Sequence, residues 1–304
     1  MVKNVAILGL GKMGGAIATL LAQRGVSVAG WSRSPKKPDA SPPYVVYSDI
    51  EHATANAEVI FFLTPDYTAA VGALAKLVAA DLVRGKTVIS APSGSPDEAI
   101  DFARLVRNAG GMPLDCAIMG YPSDLGSERI YLLYSGDKKY YNQTQQLLLN
   151  IGPNQVFVGE GYGTAKAIDF GLLSRSYSWL FGYFQSLILV QDQGVDAMQF
   201  AELAANIIGP FQANLLRSTQ AIVANEFGPA KEASLDVHHA ALSKIIGRTR
   251  GRNIHLAMPE LCLEVIKQSL FEGRGECDIA AVYPALIRIS QHPRKDSFFN
   301  FDQT

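Results

Sequence analysis

Val5-Ala6-Ile7-Leu8-Gly9-Leu10-Gly11-Lys12-Met13-Gly14 is the stretch that decides the fold. An apolar run ends in glycines and leads straight into a helical pattern from Lys12 to Arg24. Strand, glycine turn and helix in that order open a βαβ unit. Working outward, Val26–Trp31, Glu58–Thr64 and Lys86–Ser90 read as further strands, with Thr68–Ala80 as a helix between the last two. Ser95-Pro96-Asp97-Glu98 carries the marks of a helix start: a capping serine, proline at the first position and acids in the first turn. The helix it opens stops at Gly110-Gly111, and Pro113–Ile118, Ile130–Tyr134 and Gln155–Val158 read as the remaining strands.

Strands alternating with helices predict an α/β fold with a mostly parallel, doubly wound sheet, a Rossmann domain. After Gly163 strand signals stop, and helices run to about Gln291, beginning with a long one from Thr164 to about Asp192. The expected organisation is therefore a Rossmann domain over 1–162 and an all-α C-terminal domain over 163–304, joined by that long interdomain helix. The chain has 304 residues, 48% hydrophobic and 18% charged, with a formal net charge of -1. That balance suits a globular protein and gives no electrostatic reason to expect a nucleic acid or an anionic membrane as partner. The apolar stretch from Tyr177 to Val190 is too short and too polar to span a bilayer. Cys116, Cys262 and Cys277 are scattered without metal-binding spacing, so no metal is expected. With no leader pattern at Met1, a soluble cytoplasmic protein is the expectation.

In its strand–helix context the glycine turn predicts a dinucleotide site spanning Gly9, Leu10, Gly11, Lys12, Met13 and Gly14. Gly9 permits the tight turn, Gly11 lets the pyrophosphate approach the backbone, and Gly14 lets helix pack on strand. The helix N-terminus then faces the phosphates. About 20 residues on, where an acid would accept from a ribose 2′-hydroxyl, the chain reads Trp31-Ser32-Arg33-Ser34-Pro35-Lys36-Lys37. A carboxylate would repel a 2′-phosphate, whereas Arg33 and Lys37 would pair with it and Ser32 and Ser34 could donate to it. NADPH is the expected cofactor. Leu63-Thr64-Pro65 and Ser93 follow later strands at the carboxyl edge, where the nicotinamide half is expected.

The chain resembles the imine reductases and reductive aminases along nearly its whole length. The likeness covers residues 9–14, the cofactor loop 31–37, Asp115-Cys116-Ala117-Ile118-Met119-Gly120-Tyr121-Pro122 and Leu133-Tyr134-Ser135-Gly136. It continues through Ile168-Asp169-Phe170-Gly171-Leu172-Leu173, with Tyr177 following. The resemblance implies an Asp on the interdomain helix where the related β-hydroxyacid dehydrogenases carry Lys, and a Tyr eight residues beyond it; these match Asp169 and Tyr177. It also implies a homodimer with exchanged C-terminal domains. Reductive aminases that join ketone and amine carry an asparagine before the Gly-Thr-Pro after the fifth strand, where this chain has Ser93. That leaves reduction of a preformed imine the better-supported expectation.

Residues 169, 173 and 177 also share one helical face over roughly 12 Å, whatever the family. A carboxylate, a leucine and a phenol there suit a C=N substrate, because hydride prefers the carbon of a protonated imine. Asp169 would stabilise the iminium charge or relay the amine proton, and Tyr177 would orient the nitrogen or the Asp. Ile118, Met119 and Leu173 would form the apolar wall, with Ser93 and His239 as further substrate contacts. The expected substrate is a small imine or an amine–carbonyl pair. Two alternatives stay open: a β-hydroxyacid dehydrogenase using Lys166, which lacks the family's Ser-Gly-Gly element and has Phe170 in place of the asparagine, and a catalytically silent NADPH-binding protein.

Overall fold

A computed structural model describes residues 2–34, 42–252 and 254–291, with backbone alone over 208–213. Lys37 and the tail 294–304 lie outside the described residues. The first part alternates strands and helices: β1 Asn4–Leu8, α1 Lys12–Gln23, β2 Ser27–Trp31, β3 Val45–Tyr47, α2 Ile50–Thr54, β4 Val59–Phe62 and α3 Tyr67–Ala79. Next come β5 Thr87–Ser90, α4 Pro96–Asn108, β6 Met112–Met119, β7 Tyr131–Gly136, α5 Lys138–Leu148 and β8 Asn154–Gly159. Helices follow: α6 Thr164–Gln191, α7 Ala197–Ala224, α8 Leu235–Thr249, α9 Ala257–Phe271 and α10 Tyr283–Gln291. The expected α/β class, with a helical C-terminal region, is what forms.

The strands make one eight-stranded sheet in the order β3-β2-β1-β4-β5-β6-β7-β8. From β3 to β6 all neighbours are parallel, whereas β7 runs antiparallel to β6 and β8 parallel to β7. The link from β6 to β7 is too short for a helical crossover, so the chain must return antiparallel. Helices cover both faces, which is why β4 and β5 are buried at every position. Alternation sorts β1 cleanly: Val5 and Ile7 join Ile17, Leu21, Phe61 and Tyr134 on one face, while Ala6 and Leu8 join Leu74, Phe62 and Phe102 on the other. Phe102 stands edge-on to Phe62 with centroids 5.1 Å apart, an arrangement that adds roughly 0.5–1.5 kcal/mol to the burial itself.

The chain divides into two compact units, Met1–Arg175 and Ser176–Thr304, so the division falls inside α6. The first turns of α6 are tied to the sheet: Ala165 N–H donates to Ser135 Oγ at 3.1 Å, and Ala165 and Leu172 pack on Ala117, Leu133 and Met119. In the second unit small apolar clusters hold α8, α9 and the short turn 279–282 together, around Leu235, Ile266 and Ala281 and around Ile246, Leu256 and Leu263. Among the described residues no helix is long and apolar enough to cross a membrane.

Candidate cofactor and active site

β1 lies between β2 and β4, and the chain leaves it first toward one side and later toward the other. Such a switch point opens a crevice at the carboxyl edge of a parallel sheet. The glycine turn fills it. Gly9 has φ 112°, and a Cβ there would stand 2.4 Å from the Leu63 carbonyl oxygen after β4. A Cβ on Gly14 would stand 1.8 Å from the carbonyl oxygen of Gly9, so the helix can approach the turn only without a side chain. Gly11 has nothing within 4 Å of where its Cβ would be, which leaves open space over the turn. It caps α1, and α1 has neither a side-chain cap nor an acid in its first turn. Its N-terminal N–H groups and positive dipole end therefore suit an anion.

Leu10 packs over Gly30 of β2 and Met13 on the core, so these two offer the site their backbone, while Lys12 is exposed. Gly9 N–H donates to the Trp31 carbonyl at 2.8 Å, joining the glycine turn to the loop after β2. There Ser32 is half-buried and Arg33 and Ser34 are exposed. Leu63 N–H donates to the Leu8 carbonyl at 2.8 Å, setting Leu63-Thr64-Pro65 beside the turn. The Thr64 hydroxyl donates to the Asp66 carbonyl at 3.0 Å and so is spent on its own loop. Asp66 caps α3 and bridges to Ser93, which is exposed at the same edge.

Ile118 and Met119 end β6, half-buried, at this same carboxyl edge. Through the packing of Leu172 on Met119, α6 brings half-buried Asp169 and exposed Leu173 toward that strand end. Burial pushes the Asp169 carboxyl up from its usual value, and the charge of Lys166 one turn earlier pulls it back. Tyr177 and His239 belong to the second unit, Tyr177 exposed on α6 and His239 half-buried on α8. Among the described residues no group of His, Cys, Asp or Glu stands ready to hold a metal.

A buried polar cluster that the sequence reading passed over lies beneath Asp169. Asp115 on β6 is 1% exposed and Lys166 2%. Asp115 accepts from Tyr67 Oη at 3.4 Å, from Ser135 Oγ at 3.3 Å and from the Lys166 backbone N–H. Burial pushes its carboxyl up, and the Lys166 charge is the largest influence the other way. Lys166 Nζ donates to the Cys116 carbonyl at 2.7 Å. A single acid inside the otherwise apolar Leu114-Asp115-Cys116-Ala117-Ile118 was the available signal.

Known proteins share the two-part organisation of the chain. Residues 4–159 match the NAD binding domain of 6-phosphogluconate dehydrogenase, and residues 161–288 match the C-terminal domain described as NADPH-dependent reductive aminase-like. The chain belongs to this 6-phosphogluconate dehydrogenase-type, reductive aminase-like family. One relative, the NADPH-dependent reductive aminase of Aspergillus oryzae, is 24% identical over 93% of this chain and 96% of its own. Another, 2-hydroxy-3-oxopropionate reductase of Escherichia coli, is 22% identical over 95% and 99%. The reductive aminase of Aspergillus terreus, solved with NADPH and ethyl levulinate, superposes with a TM-score of 0.83 at 25% identity, covering 94% of this chain and 99% of the other. Membership makes the protein an oxidoreductase of the NAD(P)-dependent kind.

In this family member the two glycines at the ends of the turn differ from the one in its middle in what a side chain would meet. Gly14→Ala should cost about 1–3 kcal/mol in urea unfolding, because a backbone oxygen must move. Gly11→Ala, in open space at φ -69°, should stay within about 0.5 kcal/mol of the parent. Equal costs, or the reverse order, would refute this placement of the turn.

Proposed function

We propose that the protein reduces the C=N bond of an imine or iminium to an amine with NADPH. The carrying observation is the placement of Asp169, a half-buried carboxyl on the tethered start of α6, packed toward the carboxyl end of β6. The open space over Gly11 and the uncapped start of α1 suit a pyrophosphate, and the exposed Arg33 with Ser32 and Ser34 suits a 2′-phosphate. Lys37, which the sequence assigns to the same phosphate, lies outside the described residues. Leu63, Thr64, Pro65 and Ser93 would border the nicotinamide. When bound, NADPH supplies the hydride.

The chain's own groups do the rest. The Asp169 carboxylate faces a protonated C=N nitrogen and stabilises the positive charge that makes its carbon electron-poor. As hydride forms the new C–H bond the C=N π pair moves to nitrogen, leaving a neutral amine whose proton Asp169 can exchange. Tyr177, two turns further on, orients the nitrogen, and Ile118, Met119 and Leu173 exclude water from the apolar part of the substrate. His239 is the contact proposed from α8. Ser93 has a shorter reach than an amide, which favours preformed imines over condensation of ketone and amine.

The similarity to 2-hydroxy-3-oxopropionate reductase favours a second reading, a β-hydroxyacid dehydrogenase with Lys166 as base. Against it, Lys166 is buried and its ammonium is engaged by the Cys116 carbonyl. A third, a silent NADPH-binding protein, is kept as an outcome of the assay. NADPH absorbance should fall with 1-pyrroline, more slowly with ketone plus amine, and hydroxyacids with NADP should give no turnover. Asp169→Ala should lower kcat/KM for the imine by about 10²–10⁴-fold. Hydroxyacid oxidation lost in Lys166→Ala but kept in Asp169→Ala would establish the second reading, and tight NADPH binding without turnover the third.

Arg33→Ala should weaken NADPH by about 1.5–3 kcal/mol while leaving NADH nearly unchanged, the loss of one charge-assisted contact. Titration by cofactor fluorescence checks this; equal loss for both cofactors would place the 2′-phosphate elsewhere.

We further propose that the protein is a homodimer with exchanged C-terminal domains. Trp179, Phe181, Phe184 and Ile188 are all exposed on the second unit's part of α6, the last three sharing one face (i, i+3, i+7) and Trp179 standing on the opposite one. A helix apolar nearly all round belongs inside a larger assembly. Beside it Trp179, Gly182, Tyr183, Ser186, Phe200 and Ala204 border a groove of about 380 Å³ between α6 and α7. Light scattering after size-exclusion chromatography at micromolar protein should give twice the chain mass. A monomer would overturn this proposal.

A further inference from the structure

Lys166 and Asp169 stand i, i+3 on α6, so their side chains leave adjacent rows of the helix, roughly 60° apart in projection. Lys166 goes down into the sheet and Asp169 does not: the ammonium ends on the Cys116 carbonyl at 2.7 Å, while the carboxyl is half-buried. From the sheet side the charge of the same lysine acts on Asp115, which accepts from the lysine's own backbone N–H. Three ionisable groups of alternating sign thus follow one another from the middle of β6 outward.

The other titratable groups here carry no charge near neutral pH. Burial pushes the Cys116 thiol on β6 up to about 12. Burial, and then the charge of Asp115, push the Tyr67 phenol on α3 well above its usual value. The Tyr134 phenol on β7, beside Cys116, is likewise pushed up by burial. Charge balance is therefore left to Asp115, Lys166 and Asp169. With both carboxyls ionised and the lysine protonated, the set carries one net negative charge, matched to one iminium.

We propose that Lys166 is a positioning residue, the buried counter-ion that lets Asp115 and Asp169 both stay ionised and so holds Asp169 ready for a cationic substrate. Without it, each carboxyl loses the one charge that offsets its burial, and a carboxyl without that offset keeps its proton to higher pH. This inference rests on the imine reading for its consequence in catalysis. Its electrostatic core does not.

The test is a ¹³C-carboxyl NMR titration of Asp169 in the ligand-free protein, assigned with Asp169→Asn, beside the pH profile of kcat/KM for 1-pyrroline. Lys166→Met should raise the Asp169 midpoint by about one pH unit or more, and the acid limb of the profile should move up with it. Lys166→Arg, which keeps the charge, should bring both most of the way back. If Lys166→Met does not fold, Lys166→Gln keeps a donor for the Cys116 carbonyl while removing the charge. The Asp169 midpoint should then rise as well. An unmoved midpoint in a folded Lys166→Met or Lys166→Gln protein overturns the proposal. Wild-type protein with no imine turnover but with these midpoint shifts would sink the imine reading and leave the counter-ion role standing. Turnover with unmoved midpoints would sink the counter-ion role alone.

Discussion

A carboxyl in the middle of a buried strand is the constraint on which the first unit depends most. Asp115 is 1% exposed, and a carboxylate left there without partners would cost several kcal/mol. Its partners come from three further elements: Tyr67 of α3, Ser135 of β7 and the Lys166 backbone of α6. Each contact fixes something beyond itself. The Tyr67 ring, held inward, lies 2.5 Å from where a Cβ on Gly94 would be, so the loop before α4 must carry glycine there. Ser135 also accepts from Ala165 N–H, so the sheet takes up N–H groups of the first turn of α6, which no helix can satisfy internally. The start of the longest tethered helix is thereby set by polar groups of the sheet rather than by its own sequence.

The other end of the site obeys a different rule. Around Gly9, Gly11 and Gly14 the decisive quantity is how near two stretches of backbone come, not how a charge is compensated. Leu63 and Gly9 meet because β1 and β4 are neighbours across the switch point, and the turn closes because Gly14 has no side chain. Both rules act at the same carboxyl edge. Loops there are free to differ in chemistry while the strands beneath them are fully buried and fixed.

This difference explains what could be read from the sequence. Steric requirements leave glycines at fixed spacing, and the Ser95-Pro96-Asp97-Glu98 start forms the capping box it suggests, with Ser95 N–H donating to Glu98 Oε2 at 2.7 Å. Long apolar runs such as Val59–Phe62 are equally plain. Val45–Tyr47 escaped notice because a three-residue edge strand, mostly exposed, buries too little to leave a pattern. Ile50–Thr54 is a single short turn of helix, and Lys138–Leu148 is so rich in Lys, Asn and Gln that its buried face, Tyr141, Thr144, Leu147 and Leu148, is hard to see. The Asp115 cluster was hidden for another reason. Its members are 67, 115, 135 and 166 in the chain, and only the sheet order makes them neighbours.

The same cluster bears on why one architecture serves two kinds of redox chemistry. Oxidising an alcohol calls for a base with a free electron pair beside the hydroxyl, and a lysine can supply it only if its nitrogen reaches the substrate. Here Lys166 enters the sheet and spends a donor on the Cys116 carbonyl, so the position is filled by a cation facing inward. Three residues on, the helix has turned enough for Asp169 to leave the sheet half-buried. A carboxylate there is too weak a base to take a proton from an alcohol at neutral pH with useful driving force, but in the function proposed above it would lower the energy of a cationic C=N carbon accepting hydride. Which of the two groups is turned outward is a matter of helical phase. In this chain that phase is set by Asp115 and Ser135, from within the sheet.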